Sequence, residues 1–177
     1  MSMVSKVFTA TLLLLLVSYS HAESDYQSLG KPAATLSQQA QWNLSIAPDG
    51  KALPKGKGFA AEGKKLFALK CAVCHGPEGI GASADPLVGE VGSLTSDYPE
   101  KTVNSYWPFA TTLFDYIRRS MPINAPFSLT PNEVYALSAY ILSQDAIITE
   151  DFELNEETLP RVTMPNREGF TAFHPEE

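Results

Sequence analysis

Cys71-Ala72-Val73-Cys74-His75 is the stretch of this chain whose residue types and spacing specify a chemistry. Two thiols three positions apart sit about one helical turn from each other, so both can reach the same edge of a flat ligand. The imidazole of the next residue then falls beneath that ligand. This C-x-x-C-H arrangement is that of covalent c-type haem attachment. The thiols of Cys71 and Cys74 add across two vinyl groups, and His75 becomes the proximal ligand of the iron. These are the chain's only two cysteines, so one covalent haem c is expected. Other chemistries fit less well. A structural zinc site takes four ligands, and the motif supplies three. No strand-helix-strand run surrounds it, as a thioredoxin-like pair would require. A simple disulfide would leave His75 without a reason.

Haem iron has a sixth position, and two methionines beyond the N-terminal region are candidates for it. Met121 and Met164 each precede a proline. A thioether is soft and uncharged, favours ferrous iron and raises the potential. His174 is a remoter candidate. An open sixth position would instead make an enzyme or sensor, such as a peroxidase or a gas binder. Tyr106, Trp107, Phe109, Phe114 and Tyr116 are candidates to line the pocket, or to pack helices. Arg118 or Arg119 could neutralise a haem propionate.

Three helices are expected to position these groups. The first runs from about Phe59 to Cys71, with Phe59, Gly63 and Phe67 on one face. Gly63 costs about 1 kcal/mol relative to alanine inside a helix, a cost that a close helix contact would explain. Residues 76–103 are a loop punctuated by glycine and proline, suited to bending around a flat ligand. A middle helix should start at Pro108 and carry Phe109, Leu113, Tyr116 and Ile117, breaking at Met121-Pro122 because the residue before proline avoids helical geometry. The last helix has the clearest start, Thr130-Pro131-Asn132-Glu133, a capping box with proline at the first helical position. Val134, Leu137, Tyr140 and Ile141 follow at helical spacing, and it should end near Ser143.

The chain opens as a cleavable secretory leader does: Lys6, an apolar run from Val7 to Val17, then Ser20-His21-Ala22 as a cleavage site. Residues 1–22 are therefore expected to be a signal peptide, and the periplasm the destination. No membrane span is expected after cleavage. Residues 23–57 are expected to form an irregular extension pinned by Trp42 and Ile46, with a turn at Ala47-Pro48-Asp49-Gly50. Residues 58–144 should be the haem domain, and 145–177 a largely extended tail. Loss of Lys6 with the leader leaves 12 basic against 20 acidic residues. That excludes generic nucleic-acid binding and suits a partner with a basic docking patch. Glu150, Asp151 and Glu153, in the tail, are candidates to guide it.

In its arrangement of motifs the chain resembles a class I cytochrome c. The matching residues are Gly63 and Phe67 ahead of Cys71-x-x-Cys74-His75, then Met121-Pro122, then Leu137 and Tyr140 on a final helix. The resemblance implies an all-α fold, here with irregular N- and C-terminal extensions, in which the first and last helices cross. It implies single-electron transfer rather than catalysis. It also implies Met121 as the sixth ligand, because the family's axial methionine precedes the last helix. In the family a proline's backbone carbonyl holds the proximal histidine, and Pro86 matches that position, with Pro77 as the rival. A narrower resemblance, over residues 101–119 and Met164–Phe170, is to cytochrome subunits of sulfite dehydrogenases and of the sulfane dehydrogenase complex. It implies a molybdenum dehydrogenase subunit as electron donor and a downstream cytochrome or oxidase as acceptor.

Overall fold

The computed structural model describes residues 45–171. The leader, Trp42 and His174 lie outside the described residues. Five helices follow one another: α1, Ala60–Lys70; α2, Ala72–His75; α3, Val103–Tyr106; α4, Ala110–Ser120; and α5, Pro131–Gln144. Two short strands, β1 at Lys57–Gly58 and β2 at Leu154–Asn155, pair antiparallel. The architecture is therefore the all-α one expected.

Local chemistry sets most helix starts. At α5 the Thr130 N–H donates to the Glu133 carboxylate at 2.8 Å, and the Glu133 N–H returns to Thr130 Oγ1 at 3.3 Å. Those bonds from Thr130 hold the Glu133 carboxyl below its ordinary pKa, with Lys70 assisting. A second reciprocal cap, Thr102 with Ser105, opens α3. The middle helix starts at Ala110, two residues later than Pro108 would suggest. Phe109 is its extended N-cap, and the short α3 uses the preceding residues. Helix α3 was hidden in sequence by the Gly- and Pro-rich run before it, although Thr102-x-x-Ser105 is a capping signal.

Helices α1 and α5 cross, and Gly63 makes the crossing possible. A Cβ at that position would lie far inside van der Waals contact distance of the Ala136 carbonyl oxygen. Phe67 and Tyr140 stack one turn further on, ring centroids 5.3 Å apart. On the other side of α5, Tyr135 meets Phe114 of α4 at 4.5 Å and donates its hydroxyl to the Pro54 carbonyl at 2.9 Å. Burial raises the pKa of that phenol, so it stays a donor.

The two flanking segments are part of this core. Ile46 is buried, and a turn over Ala47–Gly50 closes through the Gly50 N–H to the Ala47 carbonyl. The residues after α5 have little regular structure, yet Leu154, Leu159 and Met164 are completely buried. Residues 145–171 thus form a strap that completes the core. Among the described residues, no helix is long and apolar enough to cross a membrane.

Candidate haem site

The motif occupies one turn of helix. Both the Cys74 and the His75 N–H groups donate to the Cys71 carbonyl, at 3.1 and 3.0 Å. Cys71, Cys74 and His75 are all half-buried, and the two thiols are not joined to each other. Burial pushes the Cys71 thiol up to about 11, while Lys70 pulls it the other way.

A turn this short leaves orphan carbonyls at its end, and the following loop satisfies them. The Ala84 N–H donates to the Cys74 carbonyl at 2.8 Å, and the Gly81 N–H to the His75 carbonyl at 2.7 Å. Gly76 makes this fold-back possible: its φ is +75°, and a Cβ there would strike the Gly81 carbonyl oxygen. The same loop sets the imidazole. His75 Nδ1 lies 3.1 Å from the backbone carbonyl of Asp85. That pairing makes Nδ1 the donor and leaves Nε2 free for a metal. The acceptor is one residue earlier than the Pro86 carbonyl expected from the family pattern. Proline fixes its own φ and restricts the residue before it, so the Asp85–Pro86 peptide presents the Asp85 oxygen. Pro86 itself supplies no hydrogen bond to the imidazole, and neither does Pro77.

Met121 follows α4, its N–H bonded back to the Ile117 carbonyl at 3.0 Å. It is half-buried and packs against the same core as Cys71, Leu87 and Trp107. Met164 is 1% exposed, so its thioether is a core side chain. Of the candidate arginines, Arg119 is paired with Asp115, one turn back on α4. Trp107 meets Tyr116 edge-on, centroids 5.6 Å apart, while Phe114 is wholly buried against Tyr135. Ile80, Ile123 and Phe127 are exposed apolar side chains in the loops that follow the motif and Met121. The residues fit haem c: two free half-buried thiols, an imidazole oriented through one nitrogen, a half-buried thioether at the edge of the core, and apolar loops for a flat macrocycle.

Residues 60–145 match the sequence model of the cytochrome c family. A chain of the crystal structure of the sulfane dehydrogenase SoxCD from Paracoccus pantotrophus is 38% identical, with a TM-score of 0.73 over 82% of this chain and 71% of that one. The chain belongs to the cytochrome c family. Membership brings the class I fold, a covalently bound haem c and a role in electron transfer. A thiosulfate dehydrogenase from Stutzerimonas stutzeri (strain A1501) is 29% identical over 126 residues. This chain spans 38% of that protein's length.

Proposed function

We propose that this cytochrome c is a periplasmic monohaem subunit that takes single electrons from a molybdenum subunit of the sulfite dehydrogenase type. It passes them to a downstream cytochrome or oxidase. The observation that carries this reading is the extent of the likeness to the SoxCD chain. It covers 82% of this chain, whereas the family model accounts for residues 60–145 alone. The shared part therefore includes flanking sequence outside the electron-transfer core, in a relative named as a dehydrogenase. The thiosulfate dehydrogenase relative supports sulfur chemistry on the donor side, and the leader-like N-terminus supports export.

In this reading Cys71 and Cys74 form the thioethers, His75 ligates through Nε2, and Met121 supplies the sixth ligand. Haem c, when bound, supplies a one-electron ferric–ferrous couple. The chain's part is to hold both ligands still through that change. The loop bonds to the Cys74 and His75 carbonyls, and the Asp85 carbonyl on Nδ1, fix the histidine side. Helix α4 fixes the methionine side. The single C-x-x-C-H gives one haem per chain.

The test is purification of the matured protein from its native cells, with haem quantitation and metal analysis of whatever accompanies it. One acid-acetone-resistant haem per chain, together with a molybdenum protein that reduces it when sulfite or thiosulfate is added, is expected. Extractable haem would overturn the site. A protein recovered alone, and not reduced by a sulfite-dehydrogenase-type subunit, would overturn the partner assignment.

A further inference from the structure

The strap does more than fill the core. Beyond the buried Met164 it turns over the corner between α3 and α4, with the Arg167 N–H closing on the Met164 carbonyl at 3.1 Å. Three side chains then grip that corner. Asn166 Nδ2 donates to the Tyr106 carbonyl at 2.7 Å. Tyr106 ends α3, so Asn166 satisfies one of the carbonyls that a helix end leaves orphaned. The Arg167 guanidinium lies 4.5 Å from the centroid of Phe109, the N-cap of α4. Phe170 meets Tyr106 edge-on at 5.2 Å. One short segment therefore spans the last residue of α3 and the N-cap of α4.

That corner opens the helix that leads to the methionine. Trp107 lies inside it and packs on Tyr116, five residues before Met121. Helix α4 is 11 residues long, a rod of about 16 Å, with the clamped corner at one end and Met121 at the other. A tilt at the corner displaces Met121. Neither Asn166 nor Arg167 is needed to fill the core, since Asn166 is half-buried and Arg167 exposed.

We propose that the Asn166–Phe170 segment is a clamp on the α3–α4 corner that keeps Met121 on the iron, with Asn166 and Arg167 as positioning residues. The proposal rests on the reading of Met121 as the sixth ligand. A thioether bond to ferric iron is the weaker of the two axial bonds, so loss of the clamp should appear first as easier displacement of Met121 by an added ligand.

The experiment is a spectroscopic titration of the full-length ferric holoprotein with imidazole, with the thioether–iron charge-transfer band, reduction potential and thermal midpoint followed in parallel. Asn166→Ala with Arg167→Gln removes a hydrogen bond and a cation–π contact, and should tighten apparent imidazole binding by about tenfold. Arg167→Lys keeps a cation over Phe109 and should return most of the wild-type resistance. Arg167→Gln alone changes one exposed side chain, so a folded variant is available in any case; it should show a smaller shift in the same direction. Unchanged imidazole affinity and potential beside a lowered thermal midpoint would overturn the clamp and leave a purely structural strap. Met121→Ala separates the two layers. A charge-transfer band that survives it overturns the ligand assignment and the clamp with it. A band lost in Met121→Ala, but displaced by imidazole no more easily in the strap variants than in wild type, overturns the clamp alone.

Discussion

Two methionines followed by proline look alike in the sequence, and their burial tells them apart. Met164 is 1% exposed, and a thioether closed inside a core has no approach to an iron. Met121 is half-buried and, like Cys71 and Trp107, packs at the edge of the core. Opposite phenotypes follow. Met121→Ala should lower the reduction potential measurably, since axial-ligand identity helps set potentials over a span of about 0.8 V, and should let carbon monoxide bind the ferrous protein. Met164→Ala should keep the charge-transfer band and lose about 2–5 kcal/mol of stability through the cavity it leaves. Denaturant titration and redox titration of both variants check this, and a normal potential in Met121→Ala would remove it as ligand. The candidate thioether and imidazole positions stand out in the sequence because C-x-x-C-H is a local pattern. The acceptor for His75 was legible only to within one residue. Carbonyl direction depends on how the 76–86 loop folds back, and no residue type records that.

At the scale of elements, Gly63 is where propensity and packing disagree. Alanine would gain about 1 kcal/mol in an isolated helix. In the crossing its Cβ would collide with the Ala136 backbone, and α1 and α5 would have to part. Overpacking of that kind costs about 1–3 kcal/mol, more than the propensity gain. Gly63→Ala should therefore be net destabilising in a guanidinium titration of the holoprotein; stabilisation would mean the crossing is looser than drawn. Helix α5 was readable from its first four residues because a capping box is spelled out in side chains. So was α1, from the spacing of Phe59, Gly63 and Phe67. Helix α3 was not, being a four-residue element too short to show a period. The strap was read as an extended tail because burial of Leu154, Leu159 and Met164 comes from long-range packing, which leaves no repeat in so irregular a segment.

The whole molecule carries a formal charge of −7, and the distribution of that charge matters more than its sum. Asp145, Glu150, Asp151, Glu153, Glu156 and Glu157 crowd the start of the strap, while Lys64, Lys65 and Lys70 lie on α1. From sequence the acidic tail is a candidate guide for a partner approaching the haem. The fold places two of its acids elsewhere. Glu153 pairs with Lys57 at 3.1 Å, and Glu156 accepts from the Gly56 N–H at 3.3 Å, so both sit at the N-terminal end of α1. Cys71 follows its C-terminal end, 11 residues further on, or about 16 Å away. At physiological ionic strength charges are screened over about 8 Å, so the field of these two carboxylates is faint at the haem motif. Lys65 and Lys70, exposed on the nearer part of α1, are within its reach. A partner that docks at the haem motif should therefore feel the lysines. Glu150→Gln, Asp151→Asn and Glu153→Gln combined should leave the electron-transfer rate from a sulfite-dehydrogenase-type donor within about twofold of wild type at 0.15 M salt. Lys65→Glu with Lys70→Glu should change that rate by about tenfold at low salt, converging on wild type as salt rises. A stopped-flow salt series on the three proteins decides it. If the tail variant moves the rate as far as the lysine variant, the donor docks at the strap side, and electrons must enter from a face other than the one that carries Cys71.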